Sequence, residues 1–157
     1  MKRTLGTNYS ELKIQAKACQ FIWNKYPQTR YCLYHVANEA KRSPVEWGML
    51  KAAGFINGIQ DMHFVWSGNT YRIEMKTETG IISDDQKIVH AAHMTQLSPT
   101  YILRTSEDLV TLIGDIVKGF DLTYWTAFIS PFCKPEMLQT YIEQRNANKP
   151  INRLKKG

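Results

Sequence analysis

A chain of 157 residues, 43% hydrophobic and 22% charged, has the size and composition of one globular domain able to bury a sizeable core. Its formal net charge of +6 and pI near 9.2 favour an anionic partner, nucleic acid first. Three widely separated cysteines, Cys19, Cys32 and Cys133, show no C-x-x-C spacing, so neither a disulfide framework nor a zinc knuckle is indicated, which suits a reducing cytosol. The opening MKRTLGTNYS lacks the apolar core of a secretory signal, and no apolar run approaches bilayer length, so a soluble cytoplasmic protein with no membrane partner is expected.

In chain order, Leu12, Ile14, Ala16, Cys19, Ile22 and Trp23 recur at mostly helical spacing behind Asn8 or Ser10 as caps, with Pro27 as a stop, predicting a first helix over 10–26. RYCLYHVAN has the β-branched and aromatic content of a strand. SPVE places Ser43 at the N-cap, Pro44 at the first helical position and Glu46 three residues after the cap, a capping box that opens a helix ending near Gly54. The two glycines of GFINGIQ predict a tight backbone approach. Strands over 61–66 and 71–76 follow, joined by the loop SGNT. SDDQ is a second capping box, Ser83 with Gln86, for a helix to about Thr95. TYILR reads as a short buried strand, and SEDLVTLIGDIVKG as a helix capped by Ser106 with Leu109, Leu112, Ile113, Ile116 and Val117 on one face. The order αβαββαβα implies a mixed sheet flanked on both faces by helices. After Gly119 the character changes: YWTAFISPF is apolar and aromatic, PEMLQTYIEQR looks helical, and the last fourteen residues hold five Lys or Arg and no acid. The expected organisation is a domain over 1–119 and an extension with a basic tail over 120–157 that serves a dimer or DNA contact.

The hairpin carries the chemistry. With a four-residue loop Trp66 faces Tyr71, so Asp61 falls opposite Lys76 and His63 opposite Glu74. Alternation then puts Asp61, Glu74 and Lys76 on one side, the two acids as diagonal neighbours about 7 to 8 Å apart at the backbone. Two carboxylates and a backbone carbonyl, that of Met75, are hard oxygen donors suited to Mg²⁺. A lysine two residues beyond the second acid can orient a bound water and stabilise charge on a phosphate, which suits phosphodiester hydrolysis. A Glu-x-Lys alone is also what a solvated strand edge carries, so the surrounding motifs decide.

NEAKRS at 38–43, GMLKAAGFINGIQD at 48–61, IEMKTETG at 73–80, SDDQK at 83–87 and YILRTSEDL at 101–109 together resemble, in order, the VRR-NUC family, a branch of the PD-(D/E)XK nucleases. The resemblance spans about 31–117 and implies a restriction-endonuclease-like α/β core and Mg²⁺- or Mn²⁺-dependent cleavage of DNA. It implies that Asp61 and Glu74 hold the metal with the Met75 carbonyl, that Glu39 completes the acidic pocket, that Lys76 activates the nucleophile and that Gln86 orients it or the phosphate. A capping role explains Gln86 equally well. The chain departs from the family pattern at Gln60, where proline is usual before the metal aspartate, and at ILR, where Arg104 stands alone for the namesake Val-Arg-Arg. Small standalone members, similar in lacking other domains, are associated with phages and bacterial hosts and act as homodimers, some on four-way (Holliday) junctions. Branched DNA is therefore the expected substrate; a general or restriction-like nuclease and a non-catalytic basic DNA-binding module are the alternatives.

Lys41, Arg42 and Lys51 flank the acidic motif and are candidates to grip DNA phosphates, with a solvated surface as the competing reading. His90 and His93 sit at i and i+3, a spacing that can hold zinc, but with no third ligand nearby in sequence a buried hydrogen bond or helix surface is the simpler reading. Tyr124, Trp125, Phe128 and Phe132 are most simply core or interface.

Overall fold

The computed structural model describes residues 7–37 and 41–149. Eight elements follow the expected order: α1 (Thr7–Lys25), β1 (Leu33–His35), α2 (Pro44–Ala52), β2 (Met62–Trp66), β3 (Asn69–Met75), α3 (Asp84–Met94), β4 (Thr100–Leu103) and α4 (Ser106–Lys118); a last helix, α5 (Leu138–Asn148), closes the described chain. The four strands form one mixed sheet in the order β1-β2-β3-β4, antiparallel except for the parallel β3–β4 pair that α3 connects. Among the described residues no helix is long and apolar enough to cross a membrane.

Local signals account for most boundaries. Both capping boxes form: Ser43 Oγ accepts from Glu46 N while Glu46 Oε2 accepts from Ser43 N, and Ser83 and Gln86 repeat the exchange. The helix after β4 is capped differently from expectation. Thr105 is its N-cap, accepting from Asp108 N at 3.0 Å, while Ser106 Oγ donates to the Ile14 carbonyl at 2.7 Å and ties α4 to α1. Asn8 and Ser10, expected as caps, lie inside α1. The strand expected over RYCLYHVAN shrinks to three residues because Pro27–Thr29 form a 3-10 turn, whose hydrogen bonds reach Arg30 and Cys32.

The hairpin also corrects the expected register. Trp66 pairs with Asn69, so the turn is the two-residue Ser67-Gly68, both at positive φ (51° and 78°), the primed geometry that matches strand twist. The ladder shifts by two residues, and a shift of two preserves the side of every residue.

The core lies on one face of the sheet. Leu33, Met62, Phe64, Ile73, Met75 and Leu103 pack against Ala18, Cys19 and Ile22 of α1 and Leu109, Leu112, Ile113 and Ile116 of α4. Full burial of each large aliphatic side chain contributes about 1.5–3 kcal/mol, so this face supplies much of the stability. The segment beyond Gly119 joins it: Trp125 is fully buried in the same core and donates its indole N–H to Asp115 Oδ2 at 2.8 Å. Ile129 then bridges to Tyr101, and Ser130 N bonds the Thr100 carbonyl, covering the outer edge of β4.

The opposite face lies under α3 and is polar. Gln60, Glu74, Lys76, His90 and Thr100 are all buried there or beside it. α5 packs on the outside of α3, with Arg145 paired to Asp85 and Asn148 bonded to Asp84 in its first turn.

Candidate active site

The observed register places Asp61, just before β2, across from Glu74 rather than diagonal to it, while His63 faces Arg72, not Glu74. At this end β2 no longer offers β3 a backbone partner. The Asp61 carboxylate takes that place, accepting from Met75 N at 2.8 Å, while the Asp61 carbonyl accepts from Val36 N of the β1 side. The N–H and C=O of a strand residue project to the same edge, so the Met75 carbonyl also faces the Asp61 side.

Glu74 is the centre of the cluster and is 1% exposed. Its Oε1 accepts from Gln86 Nε2 at 2.5 Å and faces Lys76 Nζ at 3.4 Å, while Oε2 is buried without a donor among the described residues. Gln86 thus serves both readings at once: its Oε1 closes the capping box of α3 and its Nε2 reaches the carboxylate. Lys76 is itself buried, with its backbone N–H fixed to the Leu103 carbonyl at 2.9 Å.

Electrostatics follow from burial. Desolvation, then the adjacent Asp61 charge, pushes the Glu74 carboxyl up to about 9 despite Lys76. Asp61 is also raised, by burial first, although the Met75 N–H and Lys76 oppose the shift. The two acids lie near enough that the Asp61 charge bears on Glu74. One lysine does not neutralise two acids. The donor set, two carboxylates and a strand carbonyl with one buried oxygen lacking a partner among the described residues, is oxygen-only and fits Mg²⁺ or Mn²⁺. Among the described residues no three His, Cys, Asp or Glu side chains gather as a metal cluster. Glu39, expected as the third acid, lies outside the described residues, as does most of the basic tail.

The loops around the cluster are tightly set. A Cβ on Gly58, which sits at φ +85°, would lie 2.5 Å from the Asp85 carbonyl carbon and 2.7 Å from Gln86 N, so only glycine lets the chain leading to Asp61 lie against the first turn of α3. Arg104 Nη1 donates to the carbonyls of Thr77 and Gly80 at 2.6 and 2.9 Å, clamping the loop that follows Lys76. The lone arginine is therefore a fastener of the site's backbone.

Several neighbours were not legible in the sequence. His35, hydrogen-bonded to Gln15 of α1 at 3.0 Å, lies near Asp61. Glu11 of α1 reaches the same loop: a Cβ on Gly80 would lie 3.3 Å from both Glu11 Oε1 and Lys76 Cδ. Gln60, in place of the expected proline, is fully buried and bridges Thr100 Oγ1 (2.7 Å) and His93 Nδ1 (3.1 Å). Each is brought in by strand order or helix packing, for which local spacing carries no signal.

The remaining candidates take ordinary places. His90 Nδ1 pairs with Ser130 Oγ at 2.8 Å, and burial lowers its pKa to about 4; His93 is tied to Gln60. His63 contacts Arg72 Nη1 at 3.3 Å, and burial followed by that charge lowers it to about 4. Lys41, Arg42 and Lys51 are exposed before and on α2, and the cation paired with Glu74 among the described residues is Lys76 instead. No protein-family model matches the chain, and neither a curated protein nor a solved structure matches it significantly, so the site stands on its own geometry.

Proposed function

We propose that this protein is a metal-dependent DNA endonuclease with a restriction-endonuclease-like, VRR-NUC-type core. The observation that carries the reading is the convergence of Asp61, Glu74, Lys76 and Gln86 on one buried point, with Glu74 Oε2 lacking a donor among the described residues. Asp61, Glu74 Oε2 and the Met75 carbonyl would hold Mg²⁺ or Mn²⁺, with Glu39 as a further acid. When bound, such an ion polarises the phosphate and lowers the pKa of its water. Gln86 and Arg104 hold Glu74 and the Lys76 loop in place. Lys76 Nζ orients the attacking water and balances charge on the phosphate as water adds at phosphorus and a P–O ester bond breaks, leaving a phosphate monoester and a hydroxyl.

Branched DNA is the proposed substrate and a homodimer the working form, since two sites related by a two-fold axis suit two strands to be cut. A phage-encoded protein acting in the bacterial cytoplasm is the setting this reading implies. Lys41, Arg42 and Lys51 would position phosphates.

The test is incubation of the purified protein with four-way junction, flap, linear duplex and single-stranded DNA of matched sequence, in Mg²⁺, Mn²⁺ or EDTA, beside Lys76→Ala. Symmetric nicking of the junction, absent in EDTA and in the variant, is expected. Equal cutting of every duplex would replace the branched substrate with general degradation. Binding without cutting in any metal would sink the catalytic reading.

A further inference from the structure

Along the outer edge of β4, the strand next to that of Glu74, lies a cleft of about 300 Å³ that none of the roles above uses. Ile102 stands opposite Glu74 in the parallel β3–β4 register, so the cleft begins on the strand next to Glu74, neighbouring strands lying about 4.8 Å apart at the backbone. Its walls are Ile102, Phe128, Pro131 and Ala127, and its polar groups are Arg104 and Asp108. The volume is at the lower end of the range for small-ligand sites, about 300–1,000 Å³.

The walls are preorganised. The Phe128 ring packs against Trp125 at 4.8 Å between centroids and against Tyr124 at 5.6 Å. Arg104 Nη1 is committed to loop carbonyls, which holds the guanidinium plane still. The Asp108 carboxylate is half-buried, and no hydrogen bond or ion pair engages it among the described residues, although its backbone N–H is used by Thr105. An aromatic ring, a fixed guanidinium and a free acceptor form a site for a flat, amino-bearing heterocycle.

We infer that this cleft receives the nucleobase next to the scissile phosphate, stacking it on Phe128 and Arg104 and accepting its exocyclic amino group at Asp108. The inference rests on the endonuclease reading and adds a base preference to it: cytosine or adenine over thymine at one flanking position, because thymine presents a carbonyl oxygen where those bases carry an amino group.

The test maps the cuts on a four-way junction in Mg²⁺ and then varies each flanking nucleotide among cytosine, thymine and an abasic residue. The abasic substrate should be cut about tenfold more slowly at one of the positions, and thymine about fivefold more slowly than cytosine. Asp108→Asn should erase the cytosine–thymine difference. Ala127→Trp, at an exposed wall position, should plug the cleft and bring the cytosine substrate down to the abasic rate, with an unchanged melting temperature showing that the fold survives. Equal rates on all three substrates, or a base preference that survives Ala127→Trp, would overturn the cleft assignment while leaving the endonuclease intact. No cleavage of any DNA in any metal would overturn both.

Discussion

The two faces of the central sheet are built on opposite principles. Toward α1 and α4, Met62, Phe64, Ile73, Met75 and Leu103 are fully buried among apolar neighbours. Toward α3, residues of the same strands and the chain leading into them bury Gln60, Glu74, Lys76 and Thr100, and Gln60 Oε1, Glu74 Oε2 and His90 Nε2 lack partners among the described residues, against Trp23 Nε1 on the α1 side. Burying an unsatisfied polar atom costs about 1–3 kcal/mol. The α3 face therefore weakens the fold that the α1/α4 face sustains, and such a cost is expected where a site is selected for chemistry.

Four predictions press on this contrast, taken from the largest effect to the smallest. Glu74→Gln should reduce DNA cleavage by about 10³-fold, as loss of a central charge-bearing group does, while the melting temperature holds or rises because a buried carboxyl is replaced by an amide. A large drop in stability with activity retained would reverse the assignment of the faces. On the other side, Leu112→Ala should lower the unfolding free energy by about 3 kcal/mol in urea titration through transfer and cavity effects.

Titration distinguishes the faces without mutation. Glu74 has a folded pKa of about 9 against an ordinary value of 4.5, so the native state holds the extra proton; its contribution is fully present below 4.5 and is lost as pH rises through about 9. His63 and His90, lowered to about 4, contribute above 6.5 and lose their contribution as pH falls through about 4. Melting temperature in EDTA should thus fall on both sides of neutrality. Glu74→Gln should flatten only the alkaline limb, and Mg²⁺ should raise the wild-type curve most at alkaline pH; a metal effect unchanged in the variant would remove Glu74 from the metal site. The smallest effect is at the hairpin: Ser67→Asn should add about 0.5 kcal/mol, since Asn tolerates positive φ better than Ser.

Much of this arrangement is legible in the sequence, for reasons that differ by element. Capping boxes act within four residues, so Ser43 with Glu46 and Ser83 with Gln86 announce their helices wherever they are placed. The glycine of the GIQD run is legible as a close approach, and Gly58 meets the backbone of α3. The hairpin register is misread because SGNT serves as a four-residue loop in sequence but supplies two further ladder pairs in the fold. Its consequence for the site survives because the error is even: Asp61 and Glu74 keep the same side and come closer.

Periodicity, caps and the alternation of the hairpin, all set within a few residues, determine the helices, the strands and the shared side of Asp61, Glu74 and Lys76. Tertiary structure alone decides the neighbours: that Asp61 replaces a missing ladder partner of Met75, that His35 and Glu11 approach the site, that Arg104 fastens the loop after Lys76, and that Trp125 completes the core. These contacts join residues remote in sequence. They exist only once strand order and helix packing have excluded water from both faces, and neither is encoded in any short window of the chain.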